Sequence, residues 1–313
     1  MNSFKLAFVG MGRQTLEYLL PVIRQFHFEP IAFVSRTRRP ADFCQAHHLV
    51  QLNDLSALKA WGATHLFIAV HRRINGRLVA AALDSGFTDI FVEKPPATSL
   101  EELDSLIAKV VTRQARVHVG MNFRYATLVR EAQRIMASCD GLIDLDLCFD
   151  GKTIMPQSGE HWAEAMLLEF AIHAIDLAQA LTPDLNWFTL DVKRWAEGTQ
   201  VLYFGEAGER TATLRVRTGR PMFSSQIRLM SRNASEVTVV NFAEITTQMK
   251  SIQGLDSPLR SSISLQTSPR DLGLNRAGYY DMVKEFLWGG TGITLRIMRP
   301  TFQIMEKALV SIH

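Results

Sequence analysis

The sequence predicts an α/β protein of two domains: a parallel sheet flanked by helices, then an α+β domain with a large, mostly antiparallel open sheet. Three observations carry that expectation. Over residues 1–121 short apolar runs alternate with helical periodicity, the rhythm of βαβ units. Beyond residue 121 long stretches alternate with period 2, as strands with one wet face do. The length of 313 residues accommodates about two domains of ordinary size. The boundary is expected at 120–122, giving domains of 1–121 and 122–313.

Each element of the first half has its own signal. Phe4 to Val9 (FKLAFV) is a continuous apolar run, as in a strand covered on both faces. Gly10-Met11-Gly12 turns the chain into a helical pattern over Arg13 to Phe26, in which Pro21 must bend or restart the helix. Ile31 to Ser35, Leu49 to Leu52, His65 to Val70, Ile90 to Glu93 and Val117 to Gly120 read as further strands. Helices are expected over Pro40 to His48, Ile74 to Ser85 and Ser99 to Thr112. Gly86 suits a helix C-cap, and Ser99 with Glu102 forms a capping box.

In the second half, Tyr125 to Ala137 and Glu160 to Leu181 read as helices. Strands are expected at Ile143 to Phe149, Phe188 to Ala196, Thr211 to Arg217, Phe223 to Met230 and Glu236 to Phe242. Segment 251–275, rich in Ser, Pro and Gly, reads as a long loop. Closing helices are expected at Tyr279 to Leu287 and Pro300 to Ile312.

Composition excludes several classes. Hydrophobic residues are 47% and charged residues 21%, the balance of a globular chain and not a disordered one. Lys plus Arg is 34 against 31 Asp plus Glu, a net charge of +3 that points away from nucleic acid or a membrane surface as partner. Cys44, Cys139 and Cys148 are odd in number and widely spaced, with neither a disulfide nor a metal pattern. No apolar run reaches membrane-spanning length, and no small-residue cleavage site follows the first apolar run. A cytoplasmic protein with a small-molecule partner is the expectation.

Four motifs carry chemistry. Gly10-Met11-Gly12, between a strand and a helix, lets a dinucleotide pyrophosphate approach backbone N–H groups and the positive end of a helix. Thr15 stands where the usual third glycine would be. The same turn also serves flavodoxin-like domains without a dinucleotide. At the end of the second strand, Ser35 replaces the acid that grips NAD ribose hydroxyls, and Arg36, Arg38 and Arg39 follow. Arg36 could stack on adenine and Arg38 or Arg39 pair with a 2′-phosphate, so NADP is preferred over NAD; the alternative is a solvated basic loop. Glu93-Lys94-Pro95-Pro96 ends the fifth strand, at the sheet edge where ligands sit; Lys94 is a candidate donor to a substrate oxygen, or a surface lysine before a proline turn. Glu169, His173 and Asp176 share one face of a largely apolar helix. Such a stripe serves proton transfer through His173, or is a satisfied buried histidine, or a ligand-poor metal site.

These residues and their order resemble the Gfo/Idh/MocA family, the glucose–fructose oxidoreductase and inositol dehydrogenase type. The resemblance rests on Gly-x-Gly after strand one, Glu-Lys-Pro after strand five, Gly120-Met121-Asn122-Phe123-Arg124-Tyr125 after strand six, and His173-x-x-Asp176 on a later helix. It implies an N-terminal Rossmann domain with NADP or NAD, and a C-terminal domain whose open sheet supports a homodimer or homotetramer. It implies hydride exchange with a sugar, polyol or related carbonyl, with Lys94 and His173 as the catalytic pair and Glu169 and Asp176 beside them. Cofactor contacts would come from Gly10, Met11, Gly12, Arg13, Gln14, Ser35, Arg36, Arg38, Arg39, Val70, His71, Asn75, Glu93, Lys94, Pro95 and Asn122. Substrate contacts would come from Lys94, Asn122, Arg124, His161, Trp162 and His173, and no metal is expected. The family often has Asp where Glu169 stands, and a Thr-Pro pair where this chain reads Val70-His71-Arg72-Arg73. Two alternatives remain at this point. One is a reductase of a nucleotide-linked sugar, imine or semialdehyde; the other is a nucleotide-binding regulatory protein without turnover.

Overall fold

The structure is a computed structural model and describes residues 4–139, 141–156, 160–195, 198–249, 259–264, 277–290 and 292–312. Two compact units divide the chain, one of Met1–Met121 with Tyr279–Arg299 and one of Asn122–Gly278 with Pro300–His313.

In the first unit, six parallel strands run β1 (Leu6–Val9), β2 (Ile31–Val34), β3 (Leu49–Leu52), β4 (His65–Ile68), β5 (Asp89–Val92) and β6 (Arg116–Val119). Their order in the sheet is β3-β2-β1-β4-β5-β6. β1 pairs with β2 on one side and β4 on the other, so the connection reverses direction there, and the crevice at their carboxyl ends is where such sheets take ligands. β1 and β2 are apolar throughout, as strands covered on both faces are, while His65, Asp89 and Arg116 open β4, β5 and β6.

Pro21 has the expected effect by a specific route. The chain winds as a π-helix over Thr15–Leu19, and α1 (Leu20–Arg24) begins just before the proline. The wider turn accommodates the missing N–H and the ring. α2 (Ala41–Ala46), α3 (Leu55–Ala60), α4 (Asn75–Asp84) and α5 (Leu100–Thr112) complete the N-terminal crossovers. α3 is too short for a periodic signal; the Asp54 carboxylate caps it by accepting from Ala57 N at 2.8 Å. At α5, Ser99 Oγ accepts from Glu102 N, but Glu102 reaches back one residue further than a capping box requires, accepting from Thr98 N at 2.7 Å and Thr98 Oγ1 at 2.8 Å.

The C-terminal return belongs to this unit. α9 (Tyr279–Leu287) packs on α1 and sets the Phe286 ring among His65, Phe67, Phe91 and His118, with the Arg116 guanidinium 5.4 Å from its centre. Gly292, at φ +47°, passes so close to the His118 ring that any Cβ would overlap it. The second closing helix, α10, spans Leu295–Ile312 and begins five residues before the Pro300 expected to open it.

The second unit is built on an eight-stranded sheet. Its strands are β7 (Leu142–Asp150), β8 (Asn186–Trp195), β9 (Gly198–Ala207), β10 (Arg210–Arg217), β11 (Ser224–Ser231), β12 (Glu236–Val240), β13 (Glu244–Met249) and β14 (Leu259–Ser264). The order is β14-β13-β12-β11-β7-β10-β9-β8, and only the β7–β10 pair is parallel. Three of these strands depart from the sequence reading. β9 and β13 were not signalled by clean alternation. β14 falls inside the expected 251–275 loop; it is held by ladder bonds to β13, while the rest of that segment lies outside the described residues. α6 (Thr127–Ala137) packs on β11, β12 and β13, and α8 (Ile172–Leu181) on β7 and β10. The period-2 pattern reports this one-sided cover: Leu145, Leu147 and Phe149 are buried, and Asp144, Asp146 and Asp150 pair across the ladder with Thr211, Thr213 and Arg217. No helix among the described residues is long and apolar enough to cross a membrane.

Burial pushes the His118 imidazole down to about 4, with Arg116 acting in the same direction, and lowers His65 as well. Both favour the neutral ring in the fold, so their contribution is complete above the ordinary value near 6.5 and is lost as the pH falls. His118 alone should remove about 3 kcal/mol of unfolding free energy between pH 7 and pH 4. Denaturant midpoints across that range should show this loss in the native chain and a clearly flatter profile in His118→Asn.

Candidate active site

The glycine turn is sterically committed. Gly10 N donates to Val34 O at 2.9 Å, which places the turn on the β1–β2 side of the switch point. At φ +98° any Cβ on Gly10 would run into Ala69 O and the Val70 side chain. Thr15, at the third-glycine position, is fully buried and its hydroxyl donates to Gly10 O at 2.9 Å. The missing glycine is thus replaced by a hydrogen bond that locks the turn. Gly12 faces open space, and helix begins at Arg13. Here backbone amides and a helix start meet a cleft of about 600 Å³.

That cleft brings together Gly10, Met11, Gly12, Arg13, Gln14, Ser35, Arg36, Arg39, Val70 and His71. A second hollow of about 450 Å³ shares Ser35, Arg36 and Arg39 with it and adds Arg38, Cys44 and Gln51. The three arginines divide by role. Arg39 is structural: its guanidinium donates to Met11 O and lies over the Phe43 ring, and its N–H donates to Gln51 Oε1 at 2.8 Å. Gln51 also donates to Thr37 O, so this one amide shapes the whole loop. Arg36 and Arg38 are exposed and make no ion pair among the described residues. His71 caps the short turn before α4, its Nδ1 accepting from Arg73 N, while Arg72 is buried.

The Glu-Lys-Pro segment is held from below. Glu93 is buried, and its carboxylate accepts from Gln14 Nε2 at 2.9 Å and from Lys94 N at 3.3 Å. Gly120 packs directly on that carboxylate. Asn75 is fully buried and donates to both Glu93 O and Pro95 O at 2.9 Å. Its side chain therefore frames the loop from underneath, a different place from the cofactor contact expected of it. Sequence reasoning missed Tyr279, whose buried hydroxyl accepts from Gln14 Nε2 at 3.1 Å. Burial, with Glu93 adding to it, raises that phenol far above its ordinary range. A tyrosine far along the chain gives no sequence signal for such a contact. Lys94 is half-buried at the end of β5.

In the second unit the expected Glu169–His173–Asp176 stripe spans two kinds of helix, with Glu169 on a π-helical turn and His173 and Asp176 on α8. A π-helix over Leu167–Ala171 widens the backbone around Glu169, so the offset of four no longer spans a regular turn. Asp176, buried to 1%, receives two hydrogen bonds from Arg124, at 2.7 and 2.6 Å. Burial pushes the Asp176 carboxyl up, against the pull of Arg124. Arg124 is thereby fixed by Asp176 while its own side chain stays partly exposed. Asn122 is buried and donates to Ala277 O at 2.8 Å. His161 caps α7 (Trp162–Met166), accepting from Ala163 N, and Trp162 lies under the Arg194 guanidinium at 5.0 Å. His173 is half-buried with its ring 4.6 Å from that of Phe123. No group of three or more metal-ligating side chains gathers among the described residues.

Residues 4–121 match the GFO_IDH_MocA family, described as an oxidoreductase family with an NAD-binding Rossmann fold. The chain is 25% identical over 286 residues to the inositol 2-dehydrogenase/D-chiro-inositol 3-dehydrogenase of Lacticaseibacillus casei, covering 89% of this chain and 81% of that one. It shares the fold of a dehydrogenase from Chromobacterium violaceum, with a TM-score of 0.89 and 24% identity over 99% of this chain and 96% of the other. It also shares the fold of an oxidoreductase from Agrobacterium radiobacter in complex with NAD+, L-tartaric acid and magnesium, with a TM-score of 0.79 and 16% identity over 99% and 96%.

The buried Arg124–Asp176 pair makes a direct test. Asp176→Ala strands a guanidinium and should cost about 3–5 kcal/mol in urea unfolding. The double variant Asp176→Leu/Arg124→Met removes both charges and should recover at least half of that loss.

Proposed function

We propose that the chain, whose residues 4–121 match the GFO_IDH_MocA family, is an oxidoreductase of that family throughout, and that it exchanges hydride between NADP, in preference to NAD, and a sugar, polyol or related alcohol or carbonyl compound. The observation that carries the reading is the cleft over the glycine turn. It joins a backbone fixed by Gly10, an open approach at Gly12 and a helix start to a basic strand end without a carboxylate. These features fit a dinucleotide: the amides of Met11 and Gly12 would hold its pyrophosphate. Arg36 and Arg38, unengaged among the described residues, would pair with a 2′-phosphate where Ser35 leaves room for one.

When bound, the nicotinamide supplies or takes up the hydride. The chain's own part is positioning and proton transfer. Lys94, at a strand end held by Asn75 and Glu93, donates a hydrogen bond to the substrate oxygen. His173 takes the hydroxyl proton during oxidation and returns it during reduction. Arg124 and Asp176 hold the helix that carries His173. The polyol class draws support from the inositol dehydrogenase relative. The reading further places the protein in the cytoplasm as a homodimer or homotetramer.

Lys94→Ala and His173→Ala should each lower turnover about a hundredfold or more, the scale of general acid–base groups. Steady-state rates close to the native enzyme in both would remove the pair from the mechanism. Calorimetric titration should show tighter NADPH than NADH binding, with the preference falling about tenfold or more in Arg36→Ala/Arg38→Ala. Tighter NADH binding by the native chain would reverse the assignment.

A further inference from the structure

Between β2 and α2 the chain runs from Ser35 to Pro40, a short loop that carries Arg36, Arg38 and Arg39. β3 is the edge strand beside it, and Gln51 stands opposite Phe33 in the β2–β3 register. The Gln51 carboxamide is spent on the loop. Its Oε1 accepts from Arg39 N at 2.8 Å, and its Nε2 donates to Thr37 O at 3.2 Å. The two bonds bracket Arg38, and Arg36 comes immediately before them. Arg39 extends the chain of contacts: its guanidinium donates to Met11 O in the glycine turn and lies 5.4 Å from the centre of the Phe43 ring. One polar path therefore runs from the edge strand, through the loop, to the glycine turn.

Two hollows meet at this loop. The cleft of about 600 Å³ and its neighbour of about 450 Å³ share Ser35, Arg36 and Arg39; Arg38, Cys44, Gln51 and Asn53 line only the second. Among the described residues no carboxylate lines either hollow. The acids nearest in sequence are engaged: Asp42 accepts from Phe43 N at 2.9 Å and Asp54 from Ala57 N at 2.8 Å. Arg13, on the first cleft, pairs with Glu17 at 2.8 Å. A guanidinium grips a phosphate through directed N–H bonds, so where the backbone of Arg36 and Arg38 sits decides what they can reach. A loop of exposed charged residues that is ordered only on binding loses affinity to that ordering. A clamp present beforehand removes the loss.

We propose that Gln51 is the positioning residue for cofactor choice: its carboxamide fixes the loop backbone at Thr37 and Arg39, so that Arg36 and Arg38 meet a 2′-phosphate from a preset frame. This rests on the NADP reading and deepens it. Gln51 touches no part of the dinucleotide in this role; it acts through the two arginines.

The test uses two fragments that differ by one phosphate, adenosine 2′,5′-bisphosphate and adenosine 5′-monophosphate, titrated calorimetrically into the full chain. The native chain should bind the bisphosphate at least about tenfold tighter. Gln51→Met fills similar space without either hydrogen bond and should cut that ratio about fivefold or more, with monophosphate affinity kept within about twofold. Gln51→Asn keeps the carboxamide but withdraws it by one methylene, and should cut the ratio as far. In the Arg36→Ala/Arg38→Ala background Gln51→Met should move the ratio by less than about twofold, because the clamp acts through those arginines. A residue that only holds the fold would weaken both ligands alike, or its effect would add in full to that of the arginine variant; either result overturns the proposal. A high native ratio that either Gln51 variant leaves unmoved overturns it too, with the NADP reading intact. A native ratio near one defeats the NADP reading itself, and the role of Gln51 falls with it.

Discussion

The buried carboxylate of Glu93 is the constraint on which the first unit's site depends. A carboxylate out of water is tolerated only where hydrogen-bond donors replace the solvent. Gln14 Nε2 and Lys94 N supply them. Each contact fixes something else. Gln14 follows the glycine turn and ties it to Glu93 and Tyr279. The Lys94 amide turns the backbone at the strand end, and Asn75 holds the carbonyls on either side of Lys94. Gly120 is glycine because the carboxylate occupies the space of a Cβ. The glycine turn, the lysine and the end of β6 are therefore parts of one frame.

The second unit solves a similar problem with a different device. Its helices bury titratable residues among apolar ones, and it neutralises Asp176 with a bidentate arginine instead of amides. Its sheet keeps one face wet by pairing aspartates and threonines or arginines across β7 and β10. The His173 ring lies 4.6 Å from that of Phe123.

Much of this was legible in the sequence, for identifiable reasons. Strands buried on both faces read as apolar runs, and β3 was read with its observed ends. The glycine turn, the basic strand end and Glu-Lys-Pro were readable because local backbone rules place them. What escaped depended on distance along the chain. Asn75 and Arg124 carry the right chemistry for ligands, and only the fold shows Glu93, Pro95 and Asp176 as their partners. Tyr279 reaches Gln14 across 265 positions of sequence. The π-helix at Leu167–Ala171 departs from regular helical spacing without any sequence signal for it. β14 was hidden because its Ser-rich sequence lacks the apolar alternation of a strand, and its pairing with β13 supplies what propensity does not.

A frame centred on Glu93 and fixed before any ligand arrives is the seat proposed here for a dinucleotide. A crystal structure of the chain with NADPH tests it most directly. The pyrophosphate should lie on the amides of Met11 and Gly12 and the nicotinamide should reach the end of β5, with the Gln14, Asn75 and Gly120 contacts with the Glu93 loop unchanged. A dinucleotide bound elsewhere, or one that breaks those contacts in order to bind, would contradict it.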